Sequence, residues 1–232
     1  MQKYFYLSLD IASILFPLLF SFNKKKSFYK KWKYLWPAIT LPALIFIVWD
    51  NWFTSMGVWG FNPGYITGIY IGHLPVEEML FFVCIPYACL FTYEAVNYFK
   101  QIEPFPDNGY RLTWVLIVGL LAVGIKNYDR WYPAVTFIST AVFLIFLIVV
   151  IKPVYLGRFY FAYLFILIPF FIINGILTGT GLPAPVVWYD DAENLGIRMF
   201  TIPLEDTFYG MLLILMNVSI FEYLQKRSTS SS

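Results

Sequence analysis

The sequence predicts an all-α, polytopic membrane protein with seven transmembrane helices, arranged as two parallel three-helix repeats joined by a linking helix. Three observations predict it. Several runs of about 20 residues carry no charge, which is long enough to cross a bilayer. Charged residues make up only 13% of the chain, against roughly 25% in an average soluble domain. The third observation, an internal duplication, predicts the two repeats.

The duplication is visible in a short acidic motif. Residues 75–78 (Pro-Val-Glu-Glu) return as residues 203–206 (Pro-Leu-Glu-Asp), each time at the start of a long apolar run. A further acid follows each copy at the same distance, Glu94 after the first and Glu222 after the second. Two features that share one spacing indicate a repeated unit with a pair of acids in each half.

Seven apolar segments are expected to cross the membrane. In chain order they are Tyr4–Phe22, Lys33–Trp52, Val76–Phe99, Leu112–Ile125, Tyr132–Ile151, Phe159–Leu177 and Leu204–Leu224. The first three spans form a repeat over residues 1–103, and the last three form a repeat over residues 131–227. A linking segment, residues 104–130, contains the short fourth span. Residues 228–232 are expected to form a disordered tail. Three crossings reverse the chain, so the extra span is needed to make the repeats parallel.

The basic residues predict the orientation. A short loop after the first span is dense in lysine (residues 24–33), and lysine-rich loops stay in the cytoplasm. With that loop inside, twelve lysines and arginines lie inside and four outside, of 16 in the chain. We therefore expect a multi-pass protein of the cytoplasmic (inner) membrane with its N-terminus outside and its C-terminus in the cytoplasm. The loop Phe53–Leu74 then suits the outer interface or a re-entrant lid.

In this topology the polar residues of the spans converge on the outer half of the bundle. They are the paired acids Glu77, Glu78, Glu205 and Asp206, together with Asp10, Asp50 and Asn174. A carboxylate within a span costs about 2.5–3.5 kcal/mol on insertion scales, which favours a functional interpretation. The alternative is that acids after a proline simply make a good helix start. Glu94 and Glu222 lie about 25 Å further along their helices, outside this site.

Two neighbouring carboxyls in an apolar pocket suit proton transfer. Away from water they cannot easily both stay ionised, so one is expected to hold a proton beside an ionised partner. That pair could protonate an alkene and later take a proton from the resulting cation. Phe81 and Tyr209 lie near the acids, and aromatic faces stabilise a carbocation, although most aromatics here suit the ordinary interfacial belt.

The sequence contains no Gly-rich phosphate loop, nucleotide-binding fingerprint or Cys/His cluster. Cys84 and Cys89 stand in one apolar run without histidines nearby, so we interpret them as packed thiols. We accordingly expect no cofactor, no metal and no nucleic-acid partner.

With these motifs the chain resembles the small membrane lycopene cyclases of bacteria, archaea and fungi, in their fused two-repeat form. The resemblance rests on Pro75, Glu77 and Glu78 and on their counterparts Pro203, Glu205 and Asp206, and it covers nearly the whole chain. It implies conversion of the acyclic ψ end groups of lycopene into β-ionone rings, giving γ- and β-carotene, without flavin and without net oxidation.

The resemblance also implies roles for the acids. Glu77 or Glu205 would protonate the substrate, with Glu78 or Asp206 completing the proton relay; the roles within each pair, and one shared pocket or two, are left open. From their predicted position near the acids, and not from the resemblance, the residues expected to bind the substrate are Asp10, Asp50, Asn174, Phe81 and Tyr209. Lycopene and membrane lipid are the expected partners. A homo-oligomer, or contacts with other carotenoid enzymes, would be compatible with the resemblance.

Two other functions compete with the cyclase. Parallel repeats with polar groups inside the membrane also occur in transporters, so a transporter or binding protein for a lipid or another apolar small molecule is the main alternative. A seven-helix retinal photoreceptor would need a Schiff-base lysine within the seventh span, and Leu204–Leu224 has none.

Overall fold

The computed structural model describes residues 2–24, 27–99 and 108–229, and the helices dominate it. They are α1 (Phe5–Ser21), α2 (Trp32–Met56), α3 (Val76–Phe99), α4 (Asn108–Lys126), α5 (Trp131–Phe146), α6 (Leu156–Leu177) and α7 (Leu204–Thr229). A π-helical turn, Leu147–Ile151, extends α5, and 3-10 turns at Gln2–Tyr4 and Phe28–Lys31 precede α1 and α2. Within the described residues, seven helices are long and apolar enough to cross a membrane. The predicted fold class is confirmed.

The linking helix α4 is longer than the sequence predicts, because it begins before Leu112. Its first turn approaches the start of α6 closely: a Cβ on Gly109 would lie 2.8 Å from the backbone nitrogen of Gly157. Thr113 joins the same contact by hydrogen bonding the Tyr160 hydroxyl at 2.7 Å. Gly109 thus allows the helix ends to pack backbone to backbone, a contact that hydropathy alone does not reveal.

The repeats pack through equivalent helices. α1 packs on α3 in the first repeat, and α5 packs on α7 in the second. Between the repeats, α2 contacts α7 and α6 contacts α3. The helices that begin with the acid pairs, α3 and α7, are therefore central, and the core between them is filled by large side chains such as Phe46, Phe82 and Phe159.

Six short strands lie at the end of the bundle where α3 and α7 begin, which we call the acidic end. They are β1 (Trp59–Phe61), β2 (Tyr70–Ile71), β3 (Leu74–Pro75), β4 (Val187–Tyr189), β5 (Arg198–Met199) and β6 (Ile202–Pro203). β1 pairs antiparallel with β4, so the long loops of the two repeats are joined across the acidic end. The sequence predicts loops here, at Phe53–Leu74 and Gly179–Thr201, because strands of two or three residues leave no readable alternation.

The hairpins β2–β3 and β5–β6 occupy equivalent places, each leading directly into an acidic helix start. Two features of the predicted organisation lie outside the described residues, namely the boundary at 103/104 and residues 230–232 of the tail. Residues 228 and 229 are the last two of α7.

Candidate functional site

The first acid of each pair fastens the loop that precedes its helix. Glu77 Oε1 accepts a hydrogen bond from the backbone N–H of Thr67 at 2.7 Å, and Glu205 Oε1 accepts one from Leu195 at 2.6 Å. Both glutamates are fully buried. Their Oε2 atoms have no hydrogen-bond partner among the described residues. The geometry is the same in both repeats and holds the loop against the helix start.

The second acid of each pair is bound by a tyrosine from the first helix of its own repeat. The Tyr6 hydroxyl on α1 donates to Glu78 Oε2 at 2.6 Å, and the Tyr132 hydroxyl on α5 donates to Asp206 Oδ1 at 2.5 Å. Both tyrosines are buried. The duplication therefore includes the hydrogen-bond donor as well as the acid, because each repeat has a tyrosine on its first helix bound to its second acid.

Asp206 has two donors that Glu78 lacks. Asn174 Nδ2 and the Tyr189 hydroxyl both donate to Asp206 Oδ2, at 2.7 and 2.9 Å. Burial raises the pKa of Tyr189 well above its ordinary value, and the charge of Asp206 raises it further, so this hydroxyl stays a donor. Three donors on one carboxylate favour its charged form.

Glu78 and Asp206 face one cavity of about 390 Å³, lined mostly by apolar side chains. Of the residues predicted to bind substrate, Asp50, Asn174, Phe81 and Tyr209 line it. Of the predicted proton-transfer residues, Glu77 and Glu205 are not part of its lining. One acid of each repeat, Glu78 and Asp206, thus lines the same cavity.

Asp10 is the remaining predicted binding residue, and it does not line the cavity. It is buried on α1, within electrostatic reach of both Glu77 and Glu78. Its Oδ2 atom has no hydrogen-bond partner among the described residues. A buried carboxyl oxygen without a hydrogen-bond partner is costly.

Asp50 belongs to the first repeat and Asn174 to the second, and the two have different partners. Trp59 Nε1 donates to Asp50 Oδ1 at 2.5 Å, whereas Asn174 donates to Asp206. Asp50 Oδ2 is buried and has no partner in the described part of the chain. The repeats have therefore diverged at the pocket: the first supplies an additional carboxyl, Asp50, and the second supplies two additional donors to its acid.

Four aromatic rings form a cluster beside Asp206, and all four line the cavity: Trp59, Tyr132, Tyr189 and Tyr209. The Trp59 ring lies 5.0 Å from that of Tyr132 and 6.0 Å from that of Tyr209, centroid to centroid, and Tyr132 stacks on Tyr189 at 5.9 Å. The faces of aromatic rings are electron-rich and stabilise a cation, so four clustered rings in the lining suit a cationic intermediate. β1 and β4 place Trp59 and Tyr189 opposite each other.

Sequence reasoning missed Tyr6, Tyr132 and Tyr189. The first two could have been found from the duplication, because both stand near the start of equivalent helices at almost the spacing that separates the acid pairs. Tyr189 carries no such signal. It reaches Asp206 because β4 pairs with β1, and this pairing is not readable from the sequence.

The distal acids lie at the opposite end of the bundle, as expected. Glu94 forms an ion pair with Lys31, and Glu222 lies 3.7 Å from Arg158 and accepts a hydrogen bond from Tyr93 at 2.5 Å. Each acid is thus paired with a base from its own repeat. His73, on the loop before α3, is exposed and does not line the cavity.

Comparisons with known proteins agree with this geometry. A sequence model of the lycopene cyclase family matches residues 3–96 and 129–224, two segments that each contain three of the helices and one acid pair. Searches of the curated proteins and of the solved structures found no match. Because the family match covers most of the chain and falls on both repeats, this protein belongs to the lycopene cyclase family.

Proposed function

We propose that this protein is a lycopene β-cyclase, which closes the acyclic ψ end groups of lycopene into β-ionone rings by acid–base chemistry. One observation carries the proposal: Glu78 and Asp206, from different repeats, face the same apolar, aromatic cavity. Glu78 also lies within reach of the charge of Asp206. A proton donor and a proton acceptor are therefore present where a hydrocarbon can bind.

The hydrogen bonds favour different roles for the two acids. Asp206, with three donors, suits the carboxylate that accepts a proton and balances the positive charge. Glu78 has one donor among the described residues, Tyr6, and suits the acid that delivers a proton. The sequence-based hypothesis gave the first protonation to Glu77 or Glu205; the cavity favours their neighbours, with Glu77 and Glu205 as supports.

The proposed reaction balances without an oxidant or reductant. Glu78 adds a proton to the terminal double bond of the ψ end group, which leaves a cation on the adjacent tertiary carbon. The neighbouring double bond of the chain attacks that carbon, closes the six-membered ring and moves the cation into the ring. Asp206 takes a proton from the ring carbon that joins the polyene, and a new ring double bond forms. Transfer of that proton back to Glu78 resets the site.

The walls of the cavity suit the intermediate. The rings of Trp59 and Tyr209 would stabilise the cation through their faces. Among the described residues no lysine or arginine lines the cavity, which avoids charge repulsion. Asp50, held by Trp59, adds a further carboxyl close to that ring. An apolar pocket also excludes the water that would otherwise capture the cation.

For the membrane placement we propose that the acidic end faces outward and that the end carrying Lys31 and Arg158 faces the cytoplasm, in the cytoplasmic membrane. The lysine-rich loop and the smaller number of basic residues at the acidic end support this orientation. The proposed partners are lycopene and membrane lipid.

Product analysis tests the proposed function. The chain would be produced in a bacterium that makes lycopene, and the extracted carotenoids separated by chromatography, with the variant Glu78→Gln/Asp206→Asn as the matched control. We expect γ- and β-carotene from the natural chain and unchanged lycopene from the control. Unchanged lycopene from both, with equal amounts of protein in the membrane, would contradict a cyclase. A product with a different ring double bond would contradict the β assignment alone.

A further inference from the structure

The cavity has an opening in the side of the bundle, between α1 and α6. These helices belong to different repeats and barely touch. Ala12 and Phe16 on α1, and Pro169 and Ile172 on α6, line the cavity, yet all four are exposed. Phe16 is 61% exposed and Ile172 58%, so these side chains lie both at the cavity and on the outer surface of the bundle. We call these four residues the side opening.

The side opening faces the hydrocarbon layer. Phe16 lies ten residues beyond Tyr6 on α1, about 15 Å along the axis from the acidic end, which is roughly half of a ~30 Å hydrocarbon core. All four residues of the opening are apolar. The molecule that adjoins the cavity here is therefore lipid or something dissolved in lipid, and not water or a polar solute.

The length of the cavity sets how much of a substrate fits. On α3 the lining runs from Glu78 to Thr92, 14 residues or about 21 Å. A linear carotenoid is at least as long as the ~30 Å hydrocarbon core of a bilayer. A molecule with its end at Glu78 and Asp206 must then leave the cavity before its other end is reached, and the side opening lies along that path.

From this geometry we propose that the cavity takes one end of a linear polyene sideways from the bilayer, between α1 and α6, while the other end stays in lipid. The inference rests on the cyclase function proposed above. It makes each ring closure a separate binding event, in which the far end of the substrate contacts no part of the pocket. The four residues of the side opening are then specificity-determining, because they set how thick a polyene can pass between the two helices.

Paired tryptophan substitutions test the opening. Ala12→Trp and Ile172→Trp place a large ring in it, whereas Ile11→Trp and Ile168→Trp place the same ring on exposed positions of the same helices that do not line the cavity. With lycopene in membranes, we expect kcat/KM to fall by about tenfold or more for the first two and to stay near the natural value for the controls. A monocyclic carotenoid and lycopene should have similar kcat/KM for their open ends in the natural protein.

The outcomes separate this proposal from the function. Cyclisation by the natural chain establishes the function whatever the variants do. Equal activity of both opening variants with the natural chain, at equal protein in the membrane, would overturn the side opening; so would losses as large in Ile11→Trp and Ile168→Trp. If Ala12→Trp is not inserted in the membrane, Ile172→Trp and Ile168→Trp decide alone. If kcat/KM for lycopene and for a monocyclic carotenoid differed by more than about tenfold, the far end of the substrate would contact the protein, and the separate binding of each end would be overturned.

Discussion

Glu78 and Asp206 stand at equivalent positions of the two repeats and face one cavity, but Asp206 accepts three side-chain hydrogen bonds where Glu78 is seen to accept one. The duplication brings the two carboxyls together, and the divergence of the repeats makes them different. Proton transfer in one direction needs such a difference, because two identical acids would have no preferred donor.

Glu78→Gln should abolish ring closure, since the amide keeps the shape of the side chain but cannot deliver a proton. We expect the rate to fall by at least about 10²-fold, the usual contribution of a positioned acid. The measurement is the initial rate of cyclic carotenoid formation in membranes that contain equal amounts of protein.

Glu77→Gln is the matched control, one residue away on the same helix. Its carboxyl receives the Thr67 backbone N–H and does not line the cavity. The glutamine oxygen can still accept that hydrogen bond, so we expect most of the activity to remain. If Glu77→Gln lost as much activity as Glu78→Gln at equal protein, the role would return to the first acid of the pair.

Asp206→Asn should also reduce turnover by about 10²-fold or more, because it removes the carboxylate that takes up the ring proton. Weaker effects are expected when single donors are removed: Tyr189→Phe and Asn174→Leu each leave two donors on the carboxylate. A hydrogen bond to a charged group contributes about 1.5–3 kcal/mol, so rates should fall by roughly ten- to a hundredfold. Full activity in both donor variants would argue against a carboxylate stabilised by this network.

The pH dependence follows from Tyr189. The ordinary pKa of a tyrosine is about 10. Burial raises the pKa of Tyr189 well above this value, so its hydroxyl remains protonated at pH 10. Ionisation of this group would remove a donor from Asp206 and add a negative charge beside it. We therefore expect no loss of activity from Tyr189 as the pH rises towards 10; a loss near pH 8 or 9 that Tyr189→Phe abolishes would contradict this.

Trp59 tests the stabilisation of the cation. Trp59→Phe keeps an aromatic face towards Tyr132 and Tyr209, whereas Trp59→Leu keeps only apolar volume. Both remove the hydrogen bond to Asp50, so the difference between them isolates the ring. A cation–π contribution of about 1–2 kcal/mol predicts that the leucine variant is roughly five- to thirtyfold slower than the phenylalanine variant. Equal rates would assign Trp59 a packing role only.

The seven spans, the duplication and the convergence of Asp50, Asn174 and the paired acids could be predicted, because hydropathy and spacing survive in the sequence. The distribution of roles within each pair could not. Glu77 and Glu78 are neighbours with the same chemistry, and only the packed structure shows that Glu78 lines the cavity while Glu77 binds the backbone of Thr67. Asp10 is predicted to bind substrate from its polar side chain alone; it is buried on α1 outside the lining of the cavity, and its role stays a prediction.

Orientation in the membrane can be tested with single cysteines, as the native Cys84 and Cys89 are buried. Tyr128, in the turn after α4 at the acidic end, is 80% exposed, and Lys24 lies in the lysine-rich loop at the opposite end. A maleimide that cannot cross membranes should label Tyr128→Cys on intact cells and label Lys24→Cys only after the cells are opened. The reverse pattern would place the acidic end in the cytoplasm.

Glu94→Gln should leave ring closure nearly unchanged, because Glu94 pairs with Lys31 at the end of the bundle remote from Glu78. Both side chains are partly exposed, and pairs of this kind contribute only about 0–1 kcal/mol, so we expect a small fall in the thermal unfolding temperature of the detergent-solubilised protein. Lys31→Glu combined with Glu94→Lys restores an opposite-charge pair and should recover that loss. A fall in cyclisation as large as that of Glu78→Gln would mean that protons reach the substrate from the lysine-rich end, and the acids at the start of α3 and α7 would then be structural.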